Sequence, residues 1–254
     1  MLLEAARKVA RAAADVVDIH LSLQRAAMTE AARHAHGELL DVGCGDKPWL
    51  ELFTPHVGTY VGVEHQAVFE KTNASNSERK PDVMYDGTTL PWSGPSFDTV
   101  VSFQVLEHTP NPEQLVSEMA RVMRPGGTLI ISAPFSYRLH EQPYDYFRYT
   151  PFGLRTLVEK QGLEVEQVTP FGAVWSVIAH KVNSHLIGLG RLDGVGQSLG
   201  KFKQEAPRQR APRYWALPFI GAGVVASALI GRVGDAVAHD DVEALGYVLV
   251  ARKR

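Results

Sequence analysis

The spacing of hydrophobic residues changes along the chain. Up to about residue 35, Leu, Val and Ile recur three and four residues apart in an alanine-rich sequence, which predicts one or two amphipathic helices. From Glu38 the pattern changes to short β-branched runs that alternate with helical stretches, as in a parallel sheet covered on both faces. The predicted fold class is therefore α/β. The strand-like runs are ELLDVG, TYVGVEH, PDVMYDG, FDTVVSFQ, TLIISAP, LEVEQVTP and, at the end, ALGYVLVARKR.

A helical insertion is predicted before the last strand. VWSVIAHKVNSHLIGLG reads as a mostly apolar helix, KFKQEAPRQRAPR as a basic loop, and WALPFIGAGVVASALIG as an apolar helix near the lower length limit for crossing a membrane. A buried cap or an interfacial helix pair fits that apolar stretch better than a span. We therefore divide the chain into an N-terminal helical arm (1–36), a core (37–170), a helical insertion (171–240) and a final core strand (241–254).

Composition limits the classes of protein that fit. The 254 residues are 45% hydrophobic, which suits one globular domain with an appendage. A formal net charge of -2 gives the chain as a whole no electrostatic signature of nucleic-acid binding. Cys44 is the single cysteine, so the chain has no internal disulfide or cysteine-rich metal site. The start also lacks the long apolar core of a signal peptide, and we expect a cytoplasmic protein.

A glycine pair follows the first core strand in LLDVGCGDKP, residues 39–48. Gly43 and Gly45 at a strand end would let backbone N–H groups and a helix N-terminus approach a ligand. A dinucleotide fingerprint needs a third glycine where Pro48 stands. A pyrophosphate cradle is therefore disfavoured.

Carboxylates end the next two strands. Glu64 closes TYVGVEH, where an acid can accept hydrogen bonds from both hydroxyls of a ribose, or can be a solvated strand end. Asp86 and Gly87 follow the third strand; the carboxylate could accept from the amine of adenine, or could only form a turn. The predicted ligand is an adenine nucleoside without a pyrophosphate.

Five motifs occur in one order over residues 37–170: LLDVGCG, VGVEH, PDVMYDGTTLPW, SFDTVVSFQVLEHTPNP and RVMRPGGTLIIS. With them the sequence resembles the class I S-adenosylmethionine (SAM)-dependent methyltransferases, in particular the broad group that includes the ubiquinone and menaquinone biosynthesis enzymes. The resemblance implies a Rossmann-like, seven-stranded, mostly parallel sheet with an antiparallel last strand. It also implies SAM as cofactor and S-adenosylhomocysteine as product.

The resemblance assigns the cofactor contacts. It implies that Asp41, Gly43 and Gly45 lie beside the methionine portion of the cofactor and that Glu64 lies beside the ribose. It also implies that Asp86 and Gly87 lie beside the adenine, and that Phe103 and Gln104 border the methionine end and the sulfonium. Asp41 could instead only cap its turn. Some quinone O-methyltransferases of this group place a metal at an E-x-x-E-H sequence. Here the first acid is replaced by Gln104, ahead of Glu107 and His108, so no metal is predicted.

The acceptor is expected beside the loop after the fifth strand, within APFSYRLHEQPYDYFRYTPFGL. Methyl transfer to a hydroxyl needs a base, and His140 is the leading candidate because a neutral imidazole is available near pH 7. Glu141 or Asp145 could orient it or act instead. Alternatively, Asp145 and Arg148 form an ion pair that only holds the loop. Similarity of this loop to bacterial methyltransferases suggests O-methylation of a secondary metabolite or glycan-type substrate.

Other functions fit parts of the pattern. A SAM-binding accessory or sensor protein without transferase activity would share the cofactor motifs. A nicotinamide oxidoreductase is disfavoured by the missing third glycine, and a nucleic-acid methyltransferase by the absence of an asparagine-proline-proline-aromatic signature after strand four. The expected partner is a small-molecule acceptor and no nucleic acid. The insertion could be a lid, a homodimer interface or a weak peripheral membrane contact through residues 201–231.

Overall fold

The computed structural model describes residues 18–71, 79–189 and 214–254. Residues 1–17 of the predicted N-terminal arm and the whole predicted basic loop, residues 201–213, lie outside the described residues. The described chain forms two compact units. One contains residues 28–169 and 246–254, and the other contains residues 18–27, 170–189 and 214–245, within the described ranges.

A seven-stranded sheet has the order β3-β2-β1-β4-β5-β7-β6. The pairs β1–β2, β1–β4, β2–β3 and β4–β5 are parallel, whereas β7 runs antiparallel to β5. The predicted sheet with an antiparallel last strand is thus confirmed. The strands are β1 (Glu38–Val42), β2 (Thr59–His65), β3 (Val83–Tyr85), β4 (Phe97–Phe103), β5 (Met123–Pro134), β6 (Leu163–Phe171) and β7 (Gly246–Lys253).

The central strands are buried on both faces. Leu39, Leu40 and Val42 of β1 are fully buried, and so are the consecutive residues Leu129, Ile130 and Ile131 of β5. Side chains of consecutive residues point to opposite faces of a strand, so both faces of the sheet are covered at these strands. This explains why the strands read as continuous apolar runs instead of alternating patterns.

Seven α-helices are present among the described residues. In the helix that begins at Pro112, the buried side chains include Leu115, Val116 and Met119, which recur at helical spacing along one face. The helices are α1 (Ile19–Ala32), α2 (Leu50–Phe53), α3 (Gln66–Lys71), α4 (Pro112–Val122), α5 (Pro151–Glu159), α6 (Val174–Leu189) and α7 (Leu217–Val237), with 3-10 turns at Leu106–His108 and Tyr214–Ala216.

Helix α7 is longer than the sequence predicted and lies mostly in the open. It has 21 residues and is, among the described helices, the one long and apolar enough to cross a membrane by length and composition alone. Only 17% of its most apolar 18-residue window is buried. The alternative of a buried cap is therefore wrong for α7, which instead pairs with α6.

Candidate active site

The predicted cofactor residues meet at one edge of the sheet, in the unit that holds residues 28–169. The carboxyl ends of parallel strands share an edge, and β1 and β4 are neighbours there although β2 and β3 separate them in sequence. Such a switch point is where α/β sheets bind ligands. The residues that this edge brings together are Asp41, Gly43, Gly45, Glu64, Asp86, Gly87, Phe103 and Gln104.

The turn after β1 requires glycine. Gly43 and Gly45 have φ angles of 77° and 53°, in the left-handed region. A Cβ atom at Gly43 would lie 2.4 Å from a methyl of Val105. The Gly43 N–H donates to the Val63 carbonyl at 2.9 Å, which ties the turn to β2. Glycine is thus required at position 43 both by its φ angle and by the close packing of Val105.

Glu64 places a buried carboxylate beside that turn. Its side chain is at the end of β2, and the residue is 6% exposed. Oε2 accepts a hydrogen bond from Gly45 N at 2.7 Å, and Oε1 accepts one from His65 N at 2.9 Å. Each carboxylate oxygen has a second lone pair and can accept a further hydrogen bond. The two carboxylate oxygens can thus accept hydrogen bonds from the two hydroxyls of a ribose, as predicted for the cofactor.

Asp41 is held by a tyrosine on the neighbouring strand. It is 2% exposed and accepts a hydrogen bond from the Tyr60 hydroxyl. Burial, followed by the charge of Asp41, raises the pKa of Tyr60 above its usual range, so the phenol stays a donor. Asp41 therefore anchors the end of β1, and its contact with the methionine portion stays a prediction.

Asp86 forms a turn after β3. It is exposed, and its Oδ1 accepts hydrogen bonds from Thr88 N at 2.8 Å and Thr89 N at 3.1 Å. Hydrogen bonds, first from the Thr88 side chain and then from these amides, lower the pKa of Asp86 to about 2. Gly87 follows with a φ angle of 85°. The turn alternative is thus present in the structure, and the adenine contact stays a prediction.

Phe103 and Gln104 differ in what they offer at the end of β4. The Phe103 ring is buried and stacks on Phe53 at a centroid distance of 5.4 Å. Gln104 is partly exposed with a φ angle of 54°, an uncommon backbone conformation for a non-glycine residue. Its side-chain amide donates to Ser132 Oγ at 3.2 Å. The Phe103 ring is therefore largely enclosed by protein, whereas the side chain of Gln104 is accessible, and the contact of both residues with the cofactor stays a prediction.

Lys47 is a feature of the turn that the motifs did not reveal. Its Nζ lies 2.6 Å from Oδ2 of Asp82, which also accepts from Gly62 N at 2.7 Å. The ammonium group is paired and nearly buried. A paired lysine does not provide a free charge for a phosphate, in agreement with the predicted lack of a pyrophosphate cradle. Asp82 lies 35 residues from Lys47, and although it stands in the motif PDVMYDGTTLPW, nothing in the sequence links it to Lys47.

The loop between β5 and α5, residues 135–150, contains the predicted acceptor loop, residues 137–149, and packs against the 3-10 turn after β4. Tyr146 N donates to the Glu107 carbonyl at 2.7 Å, and Tyr149 N donates to the Pro134 carbonyl at 3.1 Å. The Tyr149 hydroxyl donates to the Leu106 carbonyl at 3.3 Å. These bonds hold the loop at the same sheet edge as the cofactor residues, because Leu106–His108 follows β4 directly.

His140 is oriented by an aspartate and an arginine. Its Nδ1 lies 3.3 Å from Oδ2 of Asp145 and 3.2 Å from the Arg138 carbonyl. Arg148 donates two hydrogen bonds to the Asp145 carboxylate, at 2.6 and 2.8 Å. The predicted ion pair between Asp145 and Arg148 is thus present, and it also fixes the imidazole.

The charge states in this cluster follow from burial and hydrogen bonding. Burial lowers the pKa of His140 below its usual range, so the neutral form prevails at pH 7. Burial alone would raise the pKa of Asp145, but hydrogen bonds from Arg148 and from the His140 backbone lower it to about 2. Since both neighbours of Nδ1 are acceptors, we assign the proton to Nδ1 and leave Nε2 as the acceptor.

Glu141, the third predicted catalytic residue, lies against a second histidine. Its Oε2 is 3.4 Å from Nε2 of His108, whose Nδ1 lies 2.9 Å from the Tyr144 carbonyl. The rings of His108 and His140 meet edge to face with centroids 4.7 Å apart. Burial lowers the pKa of His108 to about 4, so this ring is neutral too.

Glu107 is a buried acid that sequence reasoning did not identify as part of the site. The side chains of Glu107 and His108 belong to the cluster with the acceptor loop. Glu107 is fully buried, and its two carboxylate oxygens have no hydrogen-bond partner among the described residues. Burial raises the pKa of Glu107 to about 8.

Three side chains in the cluster could supply metal ligands. One donor atom each from Glu107, His108 and His140 lies within 4.8 Å of the others. Two of these residues belong to the partial E-x-x-E-H sequence, and the third comes from the acceptor loop. The expectation that no metal is bound stays a prediction.

Comparisons with known proteins agree with this geometry. Residues 40–131 match the family model described as a methyltransferase domain. The chain is 33% identical over 147 residues to a protein of Mycolicibacterium smegmatis named "Probable S-adenosylmethionine-dependent methyltransferase", covering 54% of this chain and 55% of that protein. It is 37% identical over 133 residues to an uncharacterized methyltransferase of Mycolicibacterium paratuberculosis, covering 51% of each. The chain thus spans about half the length of the curated relatives it matches.

A solved structure shows the same fold. A SAM-dependent methyltransferase from Archaeoglobus fulgidus aligns with a TM-score of 0.52 at 18% sequence identity, covering 92% of this chain and 93% of that chain. Membership of the ubiquinone and menaquinone group stays a prediction. The family match identifies a methyltransferase domain over residues 40–131, and the motifs and the sheet order agree with a domain of the class I S-adenosylmethionine-dependent type, for which S-adenosylmethionine is the cofactor.

Proposed function

We propose that the protein transfers the methyl group of SAM to a hydroxyl of a small-molecule acceptor. The observation that carries this proposal is the imidazole of His140, which Asp145 and Arg148 hold beside the predicted cofactor edge. A neutral histidine whose other nitrogen faces a fixed carboxylate is the usual arrangement of a general base.

The residues divide the work of an in-line transfer. SAM, when bound, supplies an electrophilic methyl group and leaves as S-adenosylhomocysteine. Nε2 of His140 accepts the hydroxyl proton of the acceptor while the acceptor oxygen bonds to the methyl carbon and the carbon–sulfur bond breaks. Asp145 stabilises the imidazolium that forms, and Arg148 keeps the Asp145 carboxylate from rotating.

Glu107 suits a supporting role in this scheme. It is uncharged at pH 7 because burial raises its pKa to about 8. Because it is already protonated, Glu107 does not compete with His140 for the proton of the acceptor hydroxyl. The charge that stabilises the imidazolium of His140 is then that of Asp145.

The surface of the acceptor loop supports a ring-shaped acceptor. Leu139, Tyr144 and Tyr146 are exposed there, by 67%, 39% and 45%. Aromatic and apolar side chains next to polar ones suit the faces of sugar or aromatic rings. A secondary metabolite or glycan-type substrate therefore remains our proposed acceptor class, in the cytoplasm and without nucleic acid as partner.

The test is transfer of label from SAM to small molecules extracted from a relative's source, such as Mycolicibacterium smegmatis. We expect a labelled methyl ether whose formation is lost in His140→Ala. A labelled amine or ester would instead identify an N- or carboxyl-methyltransferase. SAM binding with no transfer in any extract would favour the alternative, a SAM-binding accessory or sensor protein.

A further inference from the structure

The unit that contains residues 170–189 and 214–245, here called the helical unit, has small residues between its two long helices and large apolar residues on its surface. Helices α6 and α7 run antiparallel: Gly223 lies against Leu186, Gly231 against Ala179 and Gly234 against Trp175. A Cβ atom at Gly231 would lie 2.7 Å from Cβ of Ala179, so only glycine permits this approach. Small residues at such spacing let the two helix backbones come close together, and Ser227 Oγ donates to the Ala179 carbonyl at 3.3 Å.

The large apolar side chains of both helices face solvent. On α6 they are Trp175, Ile178, Val182 and Leu189, at spacings of three, four and seven residues, which form one stripe. On α7 and the turn before it they include Trp215, Phe219, Leu229, Ile230, Val233 and Val237, of which Phe219 is 76% exposed. We call these ten residues the apolar surface.

An open apolar hollow lies on this surface. It has a volume of about 440 Å³ and is lined by Trp175 of α6 and by Leu229, Ile230, Val233 and Val237 of α7. Exposed large apolar side chains that cluster around such a hollow are typical of an interaction surface.

The charged groups of α7 are turned away from the apolar surface. Oδ1 of Asp235 accepts hydrogen bonds from Trp175 N and Ser176 N, at 3.0 and 3.3 Å, and so caps the start of α6. Arg232 donates to Ser22 Oγ at 2.7 Å. Neither helix has another acidic residue, whereas Lys181 and His185 are exposed on α6 beside the apolar stripe.

The two ends of the helix pair differ in charge. At the end where α6 starts and α7 finishes, exposed Asp240, Asp241 and Glu243 follow. At the opposite end lie Leu189, Trp215 and Phe219, and in the sequence residues 201–213, which precede Trp215, include five basic residues and one acidic residue. An apolar tip with an aromatic side chain and adjoining positive charge matches an anionic lipid surface.

We propose that the apolar surface of α6 and α7 docks the protein on an anionic phospholipid bilayer, with the end near Trp215 and Phe219 inserted deepest. The pair lies in the interface without crossing the bilayer, because α6 has only 16 residues and carries Lys181, Asn183 and His185. This proposal does not depend on the acceptor or on the role of His140.

Flotation of the intact chain with lipid vesicles tests the proposal. We expect the protein to float with vesicles of phosphatidylcholine and phosphatidylglycerol, and less with phosphatidylcholine alone. The double variant Phe219→Glu/Ile230→Glu should lower the bound fraction roughly tenfold, because a carboxylate is costly to place in the apolar layer. Phe152→Glu is the matched control: Phe152 is 78% exposed but lies on α5, in the sheet unit, and its loss should leave binding unchanged.

Three results would overturn the proposal. The first is a wild-type chain that does not float, and the second is equal flotation of the double variant. The third is a dimer without lipid, measured by light scattering, that the double variant converts to a monomer, because the apolar surface would then join two copies. SAM binding and circular dichroism of each variant, measured in parallel, separate a folding defect from lost docking.

Discussion

Nδ1 of His140 lies 3.3 Å from Oδ2 of Asp145, and Arg148 donates two hydrogen bonds to the same carboxylate. An imidazole held in this way keeps one tautomer and one orientation. The three residues lie within nine positions of one loop, so a local sequence builds the base and its support together.

Loss of the imidazole should slow transfer without affecting the cofactor. We expect His140→Ala to reduce kcat by roughly a hundredfold or more, the usual contribution of a general base, with unchanged SAM affinity. Single-turnover transfer from labelled SAM measures the rate, and titration calorimetry measures the affinity. His56→Ala, an exposed histidine outside the cluster, serves as control. A fully active His140→Ala protein would exclude His140 as the base.

The acid limb of the pH–rate profile should reflect the environment of His140. Burial lowers its pKa below 6.5, so the base form persists below that pH, and kcat should fall only in more acidic solution. Asp145 opposes the shift, since its charge raises the pKa of His140. Asp145→Asn should therefore move the acid limb to lower pH and reduce kcat. If kcat already falls above pH 7 on acidification, or if Asp145→Asn does not move the acid limb, His140 is not the group that titrates in the profile.

Glu107 should make the protein less stable as the pH rises. Its pKa is raised to about 8 from 4.5, so between these values the folded state binds a proton that the unfolded state releases, and stability falls with increasing pH. His108, with its pKa lowered to about 4, acts in the opposite direction, but only below pH 6.5. The window from pH 6.5 to 8 therefore isolates Glu107.

Glu107→Gln should remove this dependence. Between pH 6.5 and 8, the free energy of unfolding of wild type should fall by about 2 kcal/mol relative to that of Glu107→Gln. This value follows from about 1.4 kcal/mol for each pH unit in that window. Urea titration at both pH values measures it, with Glu113→Gln, on the exposed first turn of α4, as control. Parallel pH profiles for wild type and Glu107→Gln would show that the Glu107 carboxyl is not buried as described.

The expectation of a metal-free reaction can be tested on the three candidate ligands. We expect methyl transfer to survive dialysis against a chelator, and calorimetry with Mg²⁺ or Zn²⁺ to give no heat of binding at the cluster. Binding of either ion that is lost in His108→Ala would contradict this, because it would show that Glu107, His108 and His140 act together as ligands.

The sequence predicted the features that local patterns determine. The glycine turn, Glu64 at the end of β2 and the Asp145–Arg148 pair follow from strand ends and from residues close in sequence. The seven strands and the antiparallel last strand came from the resemblance, whereas the order of the strands in the sheet was not predicted, since pairing of distant strands has no local signature. Burial of Glu107 depends on how the loop 135–150 packs on the turn after β4, which no periodicity encodes. The sequence left open whether α7 is a buried cap or part of an interfacial pair, because an apolar helix has the same pattern in both cases.

Calorimetric titration of the full chain with SAM, S-adenosylhomocysteine and NADH tests the cofactor site most directly. We predict binding of both adenosyl ligands, no binding of NADH, and a loss of about 1 to 3 kcal/mol in Glu64→Ala, the scale of hydrogen bonds to a charged group. Glu70→Ala, an exposed acid on α3, should bind as wild type. Equal SAM affinity in wild type and Glu64→Ala would remove Glu64 from the ribose, and absence of adenosyl binding would contradict the cofactor assignment itself.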